Sequence, residues 1–459
     1  MKYLLLCLMA INSQASLKDF VREYLGESNE VKQSKFSYDN QMLLTELEES
    51  KRPWTLAASS SFEDSTLETS PFSLNTGNQK SNTEAISLSK EFVWGGELSF
   101  TGTLYDLESS SNVKSYTQAL TYSQDIGQNF FGRNDFLSSD IAKETEDYQK
   151  LKFDGTKSQS IVNLISDYLE VRRQKTLLSL QENAYKRSLK RLNLVKKQVR
   201  DGIKEKVDLY SSQTAHSFQT EVLDEKKATL ANELRDLETR MERKVELSKI
   251  KPFSITKEDL KDIPSGEINS NLSVKAIKKK ISYLNKELKK SDNTMFPSIT
   301  LKGTYETNNY ETLDNPVSDG TFGSDNNNKA VSLTISMPLG FQVEKNAYKR
   351  AKLTKMEAEY SQRLALVSVR NNILNYKRNI KRLDKNIASV ANRYDLAKKT
   401  VREYNRLYNK GRASLDQVIR AEEDLINTET SFVEYKLARK KQYYGLLDIY
   451  GQLENYMSK

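Results

Sequence analysis

The chain has 459 residues, with 71 Lys+Arg against 62 Asp+Glu for a formal charge of +9, and only 37% of its residues are hydrophobic. A single cysteine and a single histidine exclude disulfide frameworks and Cys/His zinc sites, and they argue against catalysis by either residue. With 29% charged residues, 7 Pro and 17 Gly, the composition favours long solvated helices over one compact core.

Residues 1–15, MKYLLLCLMAINSQA, have the pattern of a signal peptide. Lys2 gives a positive start, Leu4 to Ile11 form a short apolar run, and Ser13-Gln14-Ala15 supplies small residues at the cleavage positions. No later stretch approaches the ~20 apolar residues of a membrane helix, so any membrane must be crossed by strands. A first repeat is expected over 16–250. It comprises a short helix, strands at about 54–63, 84–93, 97–105 and 114–123, a long helix at about 129–200, a tip at Gly202 and a helix over 207–248. Residues 251–270, with Pro252 and Pro264, form a linker. A second repeat, 271–459, has a short helix, strands at about 298–307 and 329–338, a long helix over 341–408, a tip at Gly411 and a helix over 414–450.

The strands alternate with period two. Trp54, Leu56, Ala58 and Phe62 lie between Thr55, Ala57, Ser59 and Ser61, and Val331, Leu333, Ile335 and Met337 between Ser332, Thr334 and Ser336. One face is apolar and the other small and polar, as a lipid-facing, water-lined barrel requires. A soluble sandwich would also alternate, but the strand lengths of about ten residues favour the barrel.

The long helices follow from the distribution of breakers. Residues 156–201 and 341–410 contain neither Gly nor Pro. From Ile373 through Tyr376, Ile380, Leu383, Ile387, Val390, Tyr394, Ala397, Val401 and Tyr404 to Tyr408 the steps alternate three and four, a coiled-coil seam. The first repeat offers Ile161, Leu164, Tyr168, Val171, Leu178, Tyr185, Leu189, Leu192 and Val199, interrupted at seam positions by Lys175, Glu182 and Lys196. A helix over 341–408 would be roughly 100 Å long at 1.5 Å per residue. Gly202 and Gly411 each follow the end of a long helix, where a left-handed residue lets the chain reverse tightly. The order of elements is duplicated, and Ala85-Ile86-Ser87-Leu88-Ser89 echoes Ala330-Val331-Ser332-Leu333-Thr334.

On these residues the chain resembles the TolC-like outer-membrane efflux protein family. The resemblance is carried by Tyr408-Asn409-Lys410-Gly411-Arg412-Ala413-Ser414-Leu415 with Val418 and Ala421, by Gly202-Ile203-Lys204-Glu205-Lys206-Val207-Asp208, and by the strand-to-helix junction Gln124 to Arg133. It implies an α+β membrane protein, internally duplicated: a homotrimer whose strands close one β-barrel in the outer membrane, continued by a long α-helical coiled-coil barrel in the periplasm. It also implies an exit duct, served by an inner-membrane transporter and a periplasmic adaptor protein, in efflux or type I secretion. Four to six strands per chain cannot enclose a barrel, and open edges in lipid are costly, so closure must be shared among copies. The family plan has two strands per repeat, whereas the first repeat here offers four. The barrel would have twelve strands with a protruding hairpin, or eighteen.

The resemblance also implies a gate at the tips. Tyr408 matches the family's gate tyrosine and Asp208 its partner aspartate in the first repeat, suggesting a hydrogen bond between neighbouring hairpins. Arg412 stands one residue earlier than the assisting arginine. Gln417 and Arg420 replace the two aspartates that some members place around the constriction, so an Arg420 ring would favour anions unless Arg420 pairs with Asp416 or Glu423. Gly202, Ile203 and Gly411 mark the adaptor-docking tips.

The alternative is a secreted coiled-coil tether or adhesin without a pore, which would need neither alternating strands nor tip glycines. No cofactor or metal site is expected, and no nucleophile–base set, phosphate loop or carboxylate cluster marks an enzyme. Nucleic-acid binding is not expected either, since runs such as Lys278-Lys279-Lys280 are short and basic residues are spread among acids. His216 reads as an ordinary surface residue of a helix.

Overall fold

The structure, a computed structural model, describes residues 17–67, 77–108, 113–254, 261–311 and 326–458. The signal-peptide reading of residues 1–15 falls outside them, as do parts of the linker (255–260) and of the polar loop between the last two strands (312–325). In chain order come α1 (Leu17–Glu27), α2 (Asn29–Glu49), β1 (Trp54–Leu67), β2 (Gly77–Glu91), β3 (Gly96–Glu108), β4 (Val113–Asp125), α3 (Arg133–Arg200) and α4 (Lys206–Met241). The second half repeats the theme with α5 (Leu272–Asn293), β5 (Ser298–Glu311), β6 (Asn327–Ser336), α6 (Gln342–Asn409), α7 (Leu415–Ile449) and α8 (Leu453–Ser458). Two units can be separated: Met1–Ser37 with Lys150–Ala276 and Arg363–Lys459, and Tyr38–Gln149 with Ile277–Gln362.

In the first unit the helices bury apolar seams. On α6, Ile373, Ile380, Leu383, Ile387, Val390, Val401 and Tyr408 are all buried, the side that the three-four spacing marks. On α3 the seam departs from the expected one. Toward the tip the buried residues are Leu177, Leu180, Gln181, Ala184, Ser188, Arg191 and Val195, while Leu178, Tyr185, Leu192 and Val199 are half-buried and Leu189 is exposed. The true seam includes polar residues, whose partners lie on other helices. Gln181 Nε2 donates to Gln219 Oε1 (2.8 Å), and Ser188 Oγ lies 2.9 Å from His216 Nδ1. His216 is therefore no free surface residue, since it also packs its ring on Tyr185. Lys175, read as an interruption, donates to the Leu247 and Ile250 carbonyls (2.8 and 2.7 Å). Burial lowers its pKa.

The described residues between the halves pack against the helices. Phe253 is buried, and Gly266 lies so close to the Tyr450 ring that an added Cβ would come within 2.7 Å. At Gly445 an added Cβ would approach the Tyr376 ring to 2.8 Å, so α7 and α6 touch through a residue without a side chain. Tyr443 and Tyr444 gather with Tyr456 of α8, and burial pushes the Tyr443 hydroxyl up to about 12.

A polar layer near the middle of α7 tests how buried charge is tolerated. Glu429 is buried, with Oε2 lacking a hydrogen-bond partner, and Arg187 Nε and Nη2 are likewise without one. Burial holds the Glu429 carboxyl above its usual range, against the pull of Arg187 and Lys398. A raised carboxyl pKa means that the fold disfavours the charged form, so stability contributed by this site falls as pH rises above the unfolded value. Glu429→Gln is expected to raise the unfolding midpoint at pH 8. That gain should fade as pH falls toward the ordinary glutamate range of about 4.3, which thermal melts across this window would measure.

In the second unit the six strands form one sheet, in the order β1-β2-β3-β4-β5-β6, every neighbouring pair antiparallel. The extra hairpin, β2–β3, is part of this sheet. In the same unit polar ties join α5 to α3, Lys279 with Asp147 (2.8 Å) and Lys286 with Asp140 (3.0 Å), and Arg52, just before β1, pairs with Asp135 of α3 (2.7 Å).

Candidate membrane wall and tip gate

Directly paired residues in an antiparallel sheet share a face, so the register assigns the two sides. One row reads Leu56, Leu88, Phe100, Leu120 and Tyr305, and beside it runs Lys90, Leu98, Tyr122, Gly303 and Val331 after Trp54. Leu56 is 72% exposed and Val331 81%. No soluble fold leaves such a continuous apolar face to water, and a lipid-facing wall accounts for it. The opposite face carries Thr55, Ala57, Ser59, Ser87, Ser89, Ser99, Thr101, Thr103, Ala119, Thr121, Thr304, Ser332 and Thr334. The same face carries Glu63, Glu97, Lys302 and Glu306, and hydroxyls with these charges suit a wetted surface. Among the described residues, no helix is long and apolar enough to cross a membrane.

The tips belong to the helical unit. At Gly202 φ is +71° and at Gly411 it is also +71°. The bonding matches too. Gly202 N donates to Val199 O and Ile203 N to Gln198 O (3.2 and 2.8 Å), while Gly411 N donates to Tyr408 O and Arg412 N to Leu407 O (3.0 and 2.8 Å). These are paired Schellman closures, which need a left-handed residue. Gly411→Ala meets no clash, as nothing lies within 4 Å of the added Cβ, so its cost is conformational alone. We expect a loss of about 1–2 kcal/mol, read as a lowered unfolding midpoint, and a similar loss for Gly202→Ala.

Beyond the glycines the two hairpins differ. Ser414 opens α7 with a capping box, since Gln417 N donates to Ser414 Oγ (3.2 Å) and Ser414 N to Gln417 Oε1 (2.9 Å). The N-cap of α4, Glu205, makes no side-chain cap bond. Gln417, expected from the resemblance at the constriction, is thus engaged in starting its own helix. Arg420 Nε sits 2.8 Å from Asp416 Oδ2 on an exposed helix face, so its charge is locally balanced. Arg412 is exposed, as are Ile203 and Gly411.

Val195, Tyr408, Leu415 and Val418 form a buried cluster that joins the tip ends of α3, α6 and α7. Within it the Tyr408 hydroxyl donates to Gln198 Oε1 (3.3 Å) and not to Asp208 within the same chain. Burial first, and then the charge of Asp208, raise the Tyr408 pKa, so the phenol stays a donor. Lys204 Nζ lies 5.1 Å above its ring. Sequence reasoning missed Gln198, and it missed the ion pair of Arg191 with Glu422, whose side chains are 8% and 10% exposed. Arg191 follows Ala184 and Ser188 at helical spacing, a signal masked by the apolar residues on the neighbouring stripe. Among the described residues no cluster of metal-ligating side chains occurs.

Comparison with known proteins places this architecture. Residues 263–452 match the outer membrane efflux protein family. No curated protein matches the chain significantly in sequence. The Vibrio cholerae outer membrane protein VceC superposes with a TM-score of 0.69 at 14% identity, covering 95% of this chain and 96% of that one. The Campylobacter jejuni CmeC outer membrane channel does so at 0.70 and 14%, covering 95% and 86%. The open state of the Neisseria gonorrhoeae MtrE outer membrane channel reaches 0.67 at 17%, covering 95% and 89%. Identities this low speak for the fold, while the family match speaks for the sequence of the second repeat. Residues 263–452 thus match the outer membrane efflux protein family, and the described residues share the fold of these outer-membrane channels.

Proposed function

We propose that this protein is the outer-membrane exit duct of a tripartite efflux or type I secretion system. It acts as a homotrimer through which substrates pass passively after delivery by an inner-membrane transporter and a periplasmic adaptor. The observation that carries this reading is the sheet, which is open at both edges and presents one apolar and one hydroxyl-rich face. A single copy can neither satisfy its edge groups in lipid nor enclose water. Exposed Leu43, Leu44 and Leu47 on α2, and Leu353, Met356 and Tyr360 on α6, supply further apolar surface for neighbouring copies to cover. The chemistry is that of a conduit, for the tips offer gating elements rather than reacting groups.

In this reading the tips form the periplasmic gate. Tyr408, Asp208, Arg412, Gln417 and Arg420 surround the constriction in the assembled trimer, and Gly202, Ile203 and Gly411 meet the adaptor. The tether reading lacks a use for the apolar sheet face. Purified protein in planar bilayers is expected to give stepwise conductance and to run as a three-copy band in unheated detergent gels. A monomer that never inserts would overturn the proposal.

A further inference from the structure

We propose that the β2–β3 hairpin is built into the transmembrane wall and that β6 of each copy pairs with β1 of the next, so that three copies enclose eighteen strands. The inference rests on the trimer of the preceding reading and adds the size and lining of its pore.

Three observations carry it. First, the hairpin is paired along its length on both sides. Trp54 to Leu67 of β1 faces Gly77 to Lys90 of β2, and Gly96 to Leu107 of β3 faces Val113 to Gln124 of β4. The hairpin therefore stands at the same level as its neighbours rather than beyond them. Its Ile86, Leu88, Phe100 and Leu104 continue the apolar face, bounded by Lys90 and Glu84, and all four are exposed. Outside lipid, that surface would be left in water.

Second, the hairpin's turn is locked to the junction where β4 becomes α3. Gln124 Nε2 donates to Trp94 O (2.8 Å), and Asp125 N to Gly95 O (3.0 Å). Gly132 has φ +76°, and a Cβ added there would meet Val93 O at 1.9 Å and Trp94 Cα at 2.5 Å. A Cβ on Gly95 (φ +74°) would in turn meet Gly132 N at 2.9 Å. Two glycines at such contact make the hairpin a fixed course of the wall.

Third, the strand parity fits closure. Six successive antiparallel strands leave β1 and β6 running in opposite directions, so β6 of one copy meets β1 of the next as another antiparallel pair. These are the two strands left with unpaired edges in one copy, and a second copy of this chain supplies the complementary edge. With strands ~4.8 Å apart and tilted by ~40°, eighteen strands give a barrel about 36 Å across, against about 24 Å for twelve. The bore would be lined mainly by Ser and Thr hydroxyls, with Glu63, Glu97, Lys302 and Glu306 among them, which suits bulky polar solutes.

Cysteine pairs in the assembled protein, with the natural Cys7 replaced by serine, test the wall directly. Ala57→Cys with Ser87→Cys, and Thr101→Cys with Ala119→Cys, sit across paired positions. Both are expected to oxidise to near-complete disulfides within one chain. Ala57→Cys with Ala119→Cys or Thr121→Cys, which would bridge β1 directly to β4, is expected to stay reduced. Ala57→Cys combined in turn with Ala330→Cys, Ser332→Cys or Thr334→Cys is expected to yield, at one of the three positions, a covalent ladder ending at three copies. A β1–β4 disulfide without the β1–β2 one, in a trimer that still conducts, overturns the eighteen-strand wall and leaves the duct intact. Absence of a β6–β1 ladder while the within-chain pairs form overturns closure between copies. Failure of the cysteine-free parent to form a trimer or to conduct overturns the duct and this inference together.

Discussion

Replacing Glu422 with alanine is expected to destabilise the helical unit by about 3–5 kcal/mol, the largest effect of any single change near the tip. The reason is the state it leaves behind. Arg191 and Glu422 are almost wholly buried against each other, and Arg191 Nε already lacks a partner. Removing the carboxylate strands a nearly buried guanidinium beside Ala184, Phe218, Ile419 and Ile426. Removing both charges should behave differently. Arg191→Met with Glu422→Leu is expected to recover most of the loss, because a buried pair is worth little more than apolar side chains of similar volume. Thermal unfolding of the single and double variants forms a double-mutant cycle that reads the coupling. The pair also joins α3 of the first repeat to α7 of the second, the two repeats that must separate if the tips splay. Conductance of Glu422→Gln in bilayers is accordingly expected to rise above that of the parent protein. Equal stability of Glu422→Ala and the parent would contradict the burial argument.

The second large effect lies in the sheet. Leu120 stands in the middle of the apolar row, between Phe100 and Tyr305, and is 43% exposed in one copy. Leu120→Arg would place a cation against hydrocarbon and is expected to cost about 2–4 kcal/mol of insertion free energy. Its neighbour Thr121 points to the other face, opposite Ser99 and beside Thr304, where the two hydroxyls are 3.4 Å apart. Thr121→Arg is therefore expected to insert normally and to shift ion selectivity toward anions. Folding into vesicles, followed by the change in gel mobility on heating, checks the first, and reversal potentials under a salt gradient check the second. If both variants insert equally well, the two faces have been misassigned.

How much of this was legible in the sequence depended on whether one signal dominated locally. The α6 seam was, because every position from Ile373 to Tyr408 on that side is apolar or aromatic. The tip half of α3 was not. Its inward positions hold Gln181, Ser188 and Arg191, whose partners on other helices cannot be seen in a one-dimensional pattern, so the apolar stripe beside them drew the eye. The glycine tips were readable because a left-handed closure has few substitutes. The gate side chains were readable only as candidates. Gln417 is taken up by a capping box that Ser414-x-x-Gln417 does spell out, and Arg420 by an Asp416 one turn away. The strands declared themselves by alternation, but membership of the β2–β3 hairpin in the wall turned on register and on the Gly95–Gly132 contact, both long-range facts.

The unequal starts of the two short tip helices bear on how the ends give way. Every helix opens with a deficit of four free amides. Ser414 with Gln417 satisfies two of them in α7, whereas in α4 the Glu205 side chain satisfies none and only its carbonyl takes the Asp208 amide (3.2 Å). The deficit is a ready acceptor-seeking patch just below Ile203, at a place where the chain is easiest to unwind by one turn. In a ring alternating the two hairpins, every second finger would be the pliant one. Yielding at the periplasmic mouth would then begin at three points rather than six.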